Sequence, residues 1–399
     1  MTGTDRRRFA YITAGAAGMI CGSCLRDNAL VSALQKRGCD AVLIPTYTPL
    51  RVDEEDVSLN QVFFGGINVL LQQKSALFRY LPRSLRRHLD HPALLKRVAS
   101  GNIETDARFL GDLTLSMLKG TMGSQAGEVE RLVDFLEHSL QPDLVNLTNM
   151  LISGVVPEIK SRLSVPVVVT LQGDDAFLKQ LRGPYRARVV EQIRRIVPSL
   201  DGFIVFSRSY GEKMSKLFEI PAAHIHHVPL GLNTDRYPKS LHLREPGKVL
   251  RLGYLARVCP EKGLGVLVES FIKLKRMAGM ERLELHVAGW LGSGQKPFLE
   301  RLLTRLTRAG LDKVFHYHGV LDHSEKREFL SHLDLFCVPA VDLEAKGLYV
   351  LEALASGVPV VEPDQGAFPE LLERSGGGVL FRPGDPLLLA ETLAGLLRD

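Results

Sequence analysis

FAYITAGAAGMICGSCLRDNALVSALQKRGCDAVLIPTY, residues 9–47, is the stretch of this sequence that decides its fold class. FAYITA (9–14) has the unbroken apolar character of a buried strand, and AGAAGMICGS (14–23) is typical of a glycine-rich turn. An amphipathic helix is predicted over DNALVSALQKRGC (27–39), and a second buried strand over DAVLIPTY (40–47). This order predicts a βαβ unit with parallel strands.

Ten further apolar runs have the length and character of buried strands. They lie at 143–148, 165–171, 201–207, 224–231, 249–256, 282–289, 314–319, 333–340, 357–363 and 377–381. Strands of this kind that alternate with helices indicate parallel sheets covered on both faces, so we expect an α/β fold of two doubly wound, Rossmann-like domains facing each other across a cleft. A polar stretch at 233–248 is interpreted as the linker. It places the domains at 1–240 and 241–399, with a helical insertion at about 65–140 in the first.

Composition limits the classes of function. The 399 residues carry a net charge of +5, which fits anionic small molecules or a membrane surface but not a nucleic-acid partner. Five cysteines, an odd number in a long chain, indicate a reducing compartment rather than a disulfide framework, and Cys21 and Cys24 are expected in a tight loop. Residues 5–25 resemble an export signal, but their removal would delete the first strand, so we expect a cytoplasmic protein.

A basic segment at 74–97 has two interpretations. Its seven cations face a single anion, Asp90, and they are Lys74, Arg79, Arg83, Arg86, Arg87, Lys96 and Arg97. Leu and Phe residues between them make the segment amphipathic. It is either a connector with a solvated basic face or a contact for anionic lipid headgroups or an anionic acceptor, which would place the protein at the inner face of the membrane.

LEAKGLYVLEALASGVPVV (343–361) places one glutamate ahead of a helix and another inside it. Glu344 lies in the loop, the helix is predicted to begin at Gly347, and Glu352 lies within it. The free N–H groups of Gly347 and Leu348 at the start of the helix form a seat for a phosphate. Carboxylates on either side could accept hydrogen bonds from hydroxyls, which suits a sugar, a diphosphate and a ribose in a row.

GYLARVCPEKG (253–263) supports the same kind of ligand. It follows a buried strand and precedes a helix, and it places Arg257 and Lys262 around a proline turn. Both side chains could reach one diphosphate, the arginine as a bidentate fork and the lysine as a point charge. Each motif alone would be an ordinary turn or an ordinary helix, but the two occur in the order that a diphosphate site requires.

These stretches, together with HHVPLGLNTDRYP (226–238), resemble the retaining glycosyltransferases of family four, the glycosyl transferases group one. Weaker similarity runs through TAGAAGMICGS (13–23) and VPVVVTLQGDD (165–175). The resemblance implies the GT-B fold of two facing Rossmann-like domains. It also implies a hexosyltransferase that moves a sugar from a nucleotide-diphosphate sugar to an acceptor with retention and without a bound metal or other cofactor.

Carried over position by position, the resemblance implies a role for each motif residue. Arg257 and Lys262 would grip the donor diphosphate, Glu344 would contact the transferred sugar, and Glu352 would bind the ribose. The residues expected to offer backbone amides or a close approach to the phosphates are Gly347, Leu348, Gly15 and Gly18.

One departure concerns the segment VVTLQGDD (168–175). Many relatives have a histidine where this chain has Gln172, which cannot act as a base but can hydrogen-bond the sugar. The neighbouring Asp174 and Asp175 either supply a carboxylate or cap the following helix.

Two alternative functions stay open at the level of sequence. Gln172 leaves open a non-catalytic protein that binds sugar nucleotides or glycans on the same scaffold. FFGGINVLL (63–71) is similar to part of the starch and glycogen synthases and leaves open an α-glucan synthase-like transferase. The acceptor is expected to be lipid-linked or a glycan. No metal site is expected, because the resemblance implies transfer without a metal and no cluster of His, Asp and Glu has clear ligand spacing. These histidines in or beside strand-like runs are interpreted as structural: His224, His226, His227, His316 and His318.

Overall fold

The computed structural model describes residues 7–15, 22–52, 54–65, 107–237 and 248–398, together with residues 69, 72 and 73. Contacts divide the chain into two compact units, Met1–Pro229 and Leu230–Asp399. The boundary expected near residue 240 falls in the segment 238–247, which lies outside the described residues, as do Gly18, Cys21 and the basic segment 74–97.

Among the described residues, the first unit contains six strands in one sheet. They are β1 Arg8–Thr13, β2 Asp40–Pro45, β3 Leu144–Leu147, β4 Val167–Thr170, β5 Gly202–Val205 and β6 Ile225–His227. Every neighbouring pair is parallel, and the order across the sheet is β2-β1-β3-β4-β5-β6. The strand order reverses between β1 and β3.

The second unit repeats this architecture. Its strands are β7 Leu250–Leu255, β8 Leu283–Ala288, β9 Phe315–Tyr317, β10 Leu335–Phe336, β11 Val360–Pro363 and β12 Gly378–Phe381. All pairs are again parallel, in the order β12-β11-β10-β7-β8-β9. This open parallel order, with a reversal beside the first strand, is that of doubly wound folds. Each predicted strand is present, so the α/β fold of two doubly wound, Rossmann-like domains is confirmed.

Helices connect the strands and cover the sheets. In the first unit they are α1 Gly22–Lys36, α2 Ala107–Leu118, α3 Ala126–Asp134, α4 Val156–Arg162, α5 Asp174–Gln180, α6 Tyr185–Ile196 and α7 Arg208–Phe218. In the second they are α8 Leu264–Leu274, α9 Lys296–Arg308, α10 His323–Ser331, α11 Leu348–Ala355, α12 Phe368–Ser375 and α13 Pro386–Arg398. A π-helical turn, Phe135–Leu140, extends α3, so residues 107–140 of the predicted insertion are largely helical.

Helix α1 begins earlier than the sequence predicts. It starts at Gly22 instead of Asp27, and Cys24 therefore lies in the first turn of the helix and not in a loop. The reason is packing: Cys24 is buried in a cluster with Val31 and Leu43. This contact extends the helix into a stretch whose small residues indicate a turn, since tertiary packing overrides weak local propensity.

The apolar runs are continuous because both faces of each sheet are covered. In the second unit Leu252 and Val287 of the sheet pack in one core with Phe271 of α8 and Leu393 of α13, and all four are fully buried. Within the described residues, no helix has the length and apolar character needed to cross a lipid bilayer.

The strand orders define where ligands are expected. In open α/β sheets, the crevice at the carboxyl ends of the strands binds ligands where the order reverses. These switch points lie between β1 and β3 in the first sheet and between β7 and β10 in the second. The two motifs with charged candidate residues follow the two strands of the second switch point: Arg257 follows β7, and Glu344 follows β10.

Candidate functional site

The loop after β7 is held against the segment after β10 by a glycine. Lys262 ends a short 3-10 turn, and Gly263 follows with φ +75°, a conformation that favours glycine. A Cβ on Gly263 would lie 1.8 Å from the carbonyl oxygen of Pro339. Only glycine therefore allows the two loops of this switch point to touch, and this contact brings Lys262 towards Glu344.

Glu344 lies at the centre of this edge. Its side chain is 8% exposed and forms an ion pair with Lys262 Nζ. Tyr349 Oη donates a hydrogen bond of 2.9 Å to the same carboxylate oxygen, and the Lys346 N–H donates one of 3.3 Å to the other. Lys262 Nζ also lies 5.4 Å from the centre of the Tyr349 ring. We name Lys262, Glu344 and Tyr349 the loop triad.

The triad keeps Glu344 ionised. Burial alone would raise the pKa of Glu344, but the charge of Lys262 and the hydrogen bonds from Lys262 and Tyr349 outweigh it and lower the pKa to about 2. The Glu344 backbone is fixed as well, since the Ala367 N–H donates to its carbonyl at 2.9 Å. At neutral pH the site therefore presents a buried anion next to a partly exposed cation.

The start of α11 lies directly beyond the triad. Gly347 has φ +70° and is the N-cap of the helix, whose first residue is Leu348. Glu344 thus lies in the loop ahead of the helix and Glu352 lies inside it. Gly347 and Leu348 are placed at the N-terminal turn, where backbone N–H groups can hold a phosphate.

Glu352 is located apart from the triad. It is buried on α11, and its Oε1 lies 2.6 Å from Nζ of Lys326, a buried lysine on α10. The structure therefore brings Lys262 and Glu344 into contact but places Glu352 in a second ion pair. Sequence reasoning missed Lys326, because no motif residue surrounds it on α10.

Arg257 contrasts with both lysines. Its side chain is exposed, and within the described residues it pairs with no carboxylate. Its backbone is anchored, since Tyr254 Oη donates a hydrogen bond of 3.0 Å to the Arg257 carbonyl. The guanidinium at the carboxyl end of β7 is therefore available to an anion from solution.

A fully buried carboxyl that the sequence reasoning missed lies behind the triad. Glu362, on β11, accepts a hydrogen bond of 3.2 Å from the Val338 N–H at Oε1, and among the described residues its Oε2 has no hydrogen-bond partner. Burial raises the pKa of Glu362 well above its ordinary value, and the charge of Glu344 raises it further. Glu362 lies in the apolar run VPVVEP. The presence of a glutamate in a predicted buried strand was the one sign in the sequence of an unusual carboxyl group.

In the first unit, Gln172 is anchored at the end of β4. Its amide nitrogen donates to Asp27 Oδ1 at 3.2 Å and to the Thr148 carbonyl at 3.0 Å. Asp27 is fully buried on α1 and also accepts from Thr13 Oγ1 at 3.0 Å and from Arg26 at 2.9 Å. Sequence reasoning missed Asp27, which lies 145 residues from Gln172 along the chain.

Asp174 holds the loop in which Gln172 lies. Its carboxylate accepts hydrogen bonds from the Met150 N–H at 2.5 Å and from the Gln172 N–H at 3.1 Å. Burial raises the pKa of Asp174 to about 6, although these backbone donors act in the opposite direction. The N-cap of α5 is Gly173, so Asp174 organises the loop instead of capping that helix.

Asp175 and Gly15 complete this edge. Asp175 accepts from Tyr210 Oη at 3.0 Å and pairs with Lys213 Nζ at 2.5 Å. Gly15, two residues after the end of β1, has φ +73°, and a Cβ there would lie 2.7 Å from the Thr48 carbonyl oxygen. The backbone at Gly15 is therefore closely packed, while Gly18 lies outside the described residues.

Two family models match successive parts of the chain. The model described as Glycosyltransferase Family 4 matches residues 122–236, and the model described as Glycosyl transferases group 1 matches residues 249–399. The second match includes Arg257 and the whole loop triad.

Curated relatives match over part of their length. The amylovoran biosynthesis glycosyltransferase AmsK of Erwinia amylovora is 27% identical over 219 residues, which are 52% of this chain and 51% of that protein. The GDP-mannose-dependent alpha-(1-6)-phosphatidylinositol monomannoside mannosyltransferase of Mycobacterium tuberculosis is 28% identical over 220 residues, 52% of this chain and 55% of that protein. The chain spans about half the length of these relatives.

A solved structure shows the fold over almost the whole chain. HepE of Anabaena, in complex with UDP and glucose, superimposes with a TM-score of 0.65 at 16% identity, covering 98% of this chain and 90% of that chain. This likeness confirms the predicted GT-B fold.

Proposed function

This chain belongs to glycosyltransferase family four, the group 1 glycosyl transferases, and from that membership we propose that it transfers a sugar from a nucleotide-diphosphate sugar to an acceptor. The observation that carries the proposal is the loop triad of Lys262, Glu344 and Tyr349 beside the exposed Arg257, at the switch point of the second sheet. Relatives with this family's domains are named glycosyltransferases, and HepE was solved with UDP.

In the proposed complex, the donor diphosphate lies across the two loops of the switch point. Arg257 binds it as a bidentate fork, and Lys262 contributes a point charge. The N–H groups of Gly347 and Leu348 at the start of α11 bind a phosphate oxygen, where the helix dipole is positive. Gly15 allows the first unit's glycine-rich loop, with Gly18, to approach the phosphates.

The proposed chemistry depends on the charges that develop as the sugar departs. Negative charge grows on the leaving diphosphate, and Arg257 and Lys262 stabilise it. Positive charge grows on the sugar ring, and the ionised carboxylate of Glu344 stabilises that charge. We propose retention of configuration, with the acceptor on the leaving-group face, so that the departing phosphate oxygen takes the acceptor proton and no strong protein base is needed.

Two cationic side chains take the part that a divalent ion plays in other transferases, so we propose transfer without a bound metal. Activity is expected to persist in excess EDTA. Complete loss on chelation that Mg²⁺ or Mn²⁺ restores would contradict this part of the proposal.

The remaining residues orient the substrates. Glu352 binds the ribose hydroxyls, with Lys326 holding its carboxylate in place. Gln172 hydrogen-bonds the transferred sugar, and Asp174 fixes the loop that positions it. The acceptor is lipid-linked or a glycan, since one relative is named for a phosphatidylinositol mannoside and another for the polysaccharide amylovoran. In the lipid case, the basic segment 74–97 would contact the inner membrane face.

The competing function is a protein that binds sugar nucleotides without transferring the sugar, because Gln172 supplies no base. An α-glucan synthase-like transferase is a further candidate, which differs in the acceptor. Both alternatives keep the diphosphate site at Arg257 and Lys262. They differ in whether the bound sugar is transferred, and to which acceptor.

The test is turnover with a panel of UDP-, GDP- and ADP-sugars, offered with lipid-linked and glycan acceptors. We expect release of a nucleoside diphosphate from one donor, lowered about 10²–10³-fold by Arg257→Ala, the loss typical of one preorganised donor. Arg301→Ala is the matched control, an exposed arginine on α9, and it should act like the wild type. A donor that raises the melting temperature but is never turned over would favour the non-catalytic function.

A further inference from the structure

Four side chains that can bind a metal share one face of the second sheet. Strands β8 and β9 pair in parallel, with His286 opposite His316. Glu284 lies two residues before His286, and His318 lies two residues after His316. Because side chains alternate between the faces of a sheet, Glu284, His286, His316 and His318 all point to the same side.

The distances among three of them match the edges of a metal coordination shell. Glu284 Oε2 lies 3.1 Å from His286 Nε2 and 3.5 Å from His316 Nε2. One ligand atom from each residue lies within 4.8 Å of the other two. Tetrahedral zinc with bonds of about 2.0–2.1 Å places its ligand atoms about 3.3 Å apart. Two of the three edges therefore need almost no adjustment.

The other ring nitrogen of His286 and the buried Nε2 of His316 also indicate a metal site. His286 Nδ1 lies 3.1 Å from His318 Nε2, so it can donate its hydrogen there. The lone pair of His286 Nε2 then faces the Glu284 carboxylate at 3.1 Å, an arrangement that a metal ion between the two atoms would stabilise. A histidine that binds a metal normally donates its other N–H in this way. His316 Nε2 is buried and has no hydrogen-bond partner among the described residues, although it points towards Glu284.

We propose that Glu284, His286 and His316 bind a divalent transition-metal ion of the zinc class, with a water as the fourth ligand and His318 as an outer partner of His286. Imidazole nitrogens suit zinc, copper and nickel, whereas magnesium and calcium take oxygen ligands. The donor set of two imidazoles and one carboxylate therefore selects against magnesium and calcium.

The ion joins the last strand of the sheet to its neighbour. β9 is the edge strand of the second sheet, only three residues long, and β8 is the strand inside it. The ligands lie on these two strands, while Arg257 and Lys262 lie in a loop at the carboxyl end of β7. The ion is thus a structural clasp for the edge strand, independent of sugar transfer, and the proposal does not rest on the proposed function.

The test is a zinc titration of protein freed of metal by chelation and dialysis, followed by calorimetry and by the melting temperature. We expect one Zn²⁺ per chain and a higher melting temperature with Zn²⁺, and no change with Mg²⁺. His316→Ala and Glu284→Gln should each weaken zinc binding by at least about 100-fold, and His318→Ala by about 10–100-fold, the usual effect of an outer partner.

Two control variants separate this site from adventitious binding. His224→Ala removes an exposed histidine of the first unit, and Cys39→Ser removes a free, partly exposed thiol. Both should bind zinc like the wild type. Each variant's melting temperature without zinc verifies that it folds. The proposal is overturned if the wild type binds no zinc, if His316→Ala binds it as tightly as the wild type, or if Cys39→Ser abolishes binding.

Discussion

Each unit buries a carboxyl group near its switch point, but the pKa values of the two groups are shifted in opposite directions. Asp174 in the first unit accepts from neutral backbone donors, and burial raises its pKa to about 6. Glu344 in the second unit is buried too, but Lys262 and Tyr349 lower its pKa to about 2. Burial by itself raises the pKa at both positions. In the second unit the adjacent lysine outweighs burial and lowers the pKa.

This difference indicates what each edge can bind. At the first edge, neutral and carboxylate groups form a network of hydrogen bonds around Gln172. Such a polar edge suits the hydroxyls of a sugar. The second edge contains lysine–glutamate pairs and the exposed Arg257, which suits an anion. The carboxyl edges of the two sheets therefore differ in chemistry although the sheets share one architecture.

The largest expected effect comes from removing the lysine of the triad. Lys262→Ala leaves Glu344 buried without its cation, so the free energy of unfolding should fall by about 3–5 kcal/mol. Arg257→Ala is the matched control: the arginine is exposed, and its loss should change stability by about 0.5 kcal/mol or less. Urea denaturation of both variants provides the measurement. Equal stability of the two would mean that the ion pair does not hold the loops.

A second prediction concerns acid. Since the pKa of Glu344 is lowered from 4.5 to about 2, its stabilising effect is complete above pH 4.5 and is lost as the pH falls towards 2. This span amounts to about 3 kcal/mol at about 1.36 kcal/mol per pKa unit. Glu344→Gln should remove that part of the pH dependence. If the wild type and the variant show parallel stability curves between about pH 5 and pH 2.5, the triad does not ionise as described.

Asp174 should show the opposite sign. The pKa of Asp174 is raised from 3.8 to about 6. The stabilising effect of its neutral form is therefore complete below pH 3.8 and is lost as the pH rises to 6. Relative to Asp174→Asn, the wild type should lose about 3 kcal/mol between these limits. Chemical denaturation at a series of pH values compares the two. A wild-type advantage that instead grows over this interval would contradict the contrast between the two edges.

A further prediction, of direction alone, concerns Glu362. Its neutral form is favoured in the folded protein, so its ionisation costs stability as the pH rises above the ordinary carboxyl range. Glu362→Gln keeps the acceptor for the Val338 N–H and removes the ionisable group. The variant should therefore gain stability relative to the wild type as the pH rises from about 4 to about 8, which urea denaturation at a series of pH values measures. A destabilised variant would show that the carboxyl is held as an anion.

The sequence predicts the fold because apolar runs in parallel sheets are continuous. Even β10, reduced to Leu335–Phe336, was visible as part of LDLFCVPA. The early start of α1 was not predictable, because it depends on Cys24 packing against a strand that follows later in the chain. Local patterns define the elements, and tertiary contacts adjust their ends.

The candidate site was likewise predictable only in part. The motifs predict that Arg257, Lys262 and Glu344 follow strands of one sheet, and topology brings the last two together. The partners Asp27 and Lys326 belong to no motif, and their contacts span 145 and 26 residues. Such pairings depend on the register of packed helices, which a single sequence does not contain.

Binding of a nucleoside diphosphate through Arg257 tests the assignment of the second edge most directly. Calorimetric titration with UDP, GDP and ADP should give a measurable Kd for one of them. Arg257→Ala should weaken it about 10–150-fold, since a hydrogen bond to a charged group contributes about 1.5–3 kcal/mol. The control Arg301→Ala should bind like the wild type. If none of the three nucleotides binds, or if Arg257→Ala and Arg301→Ala bind equally well, the switch point of the second sheet is not the donor site.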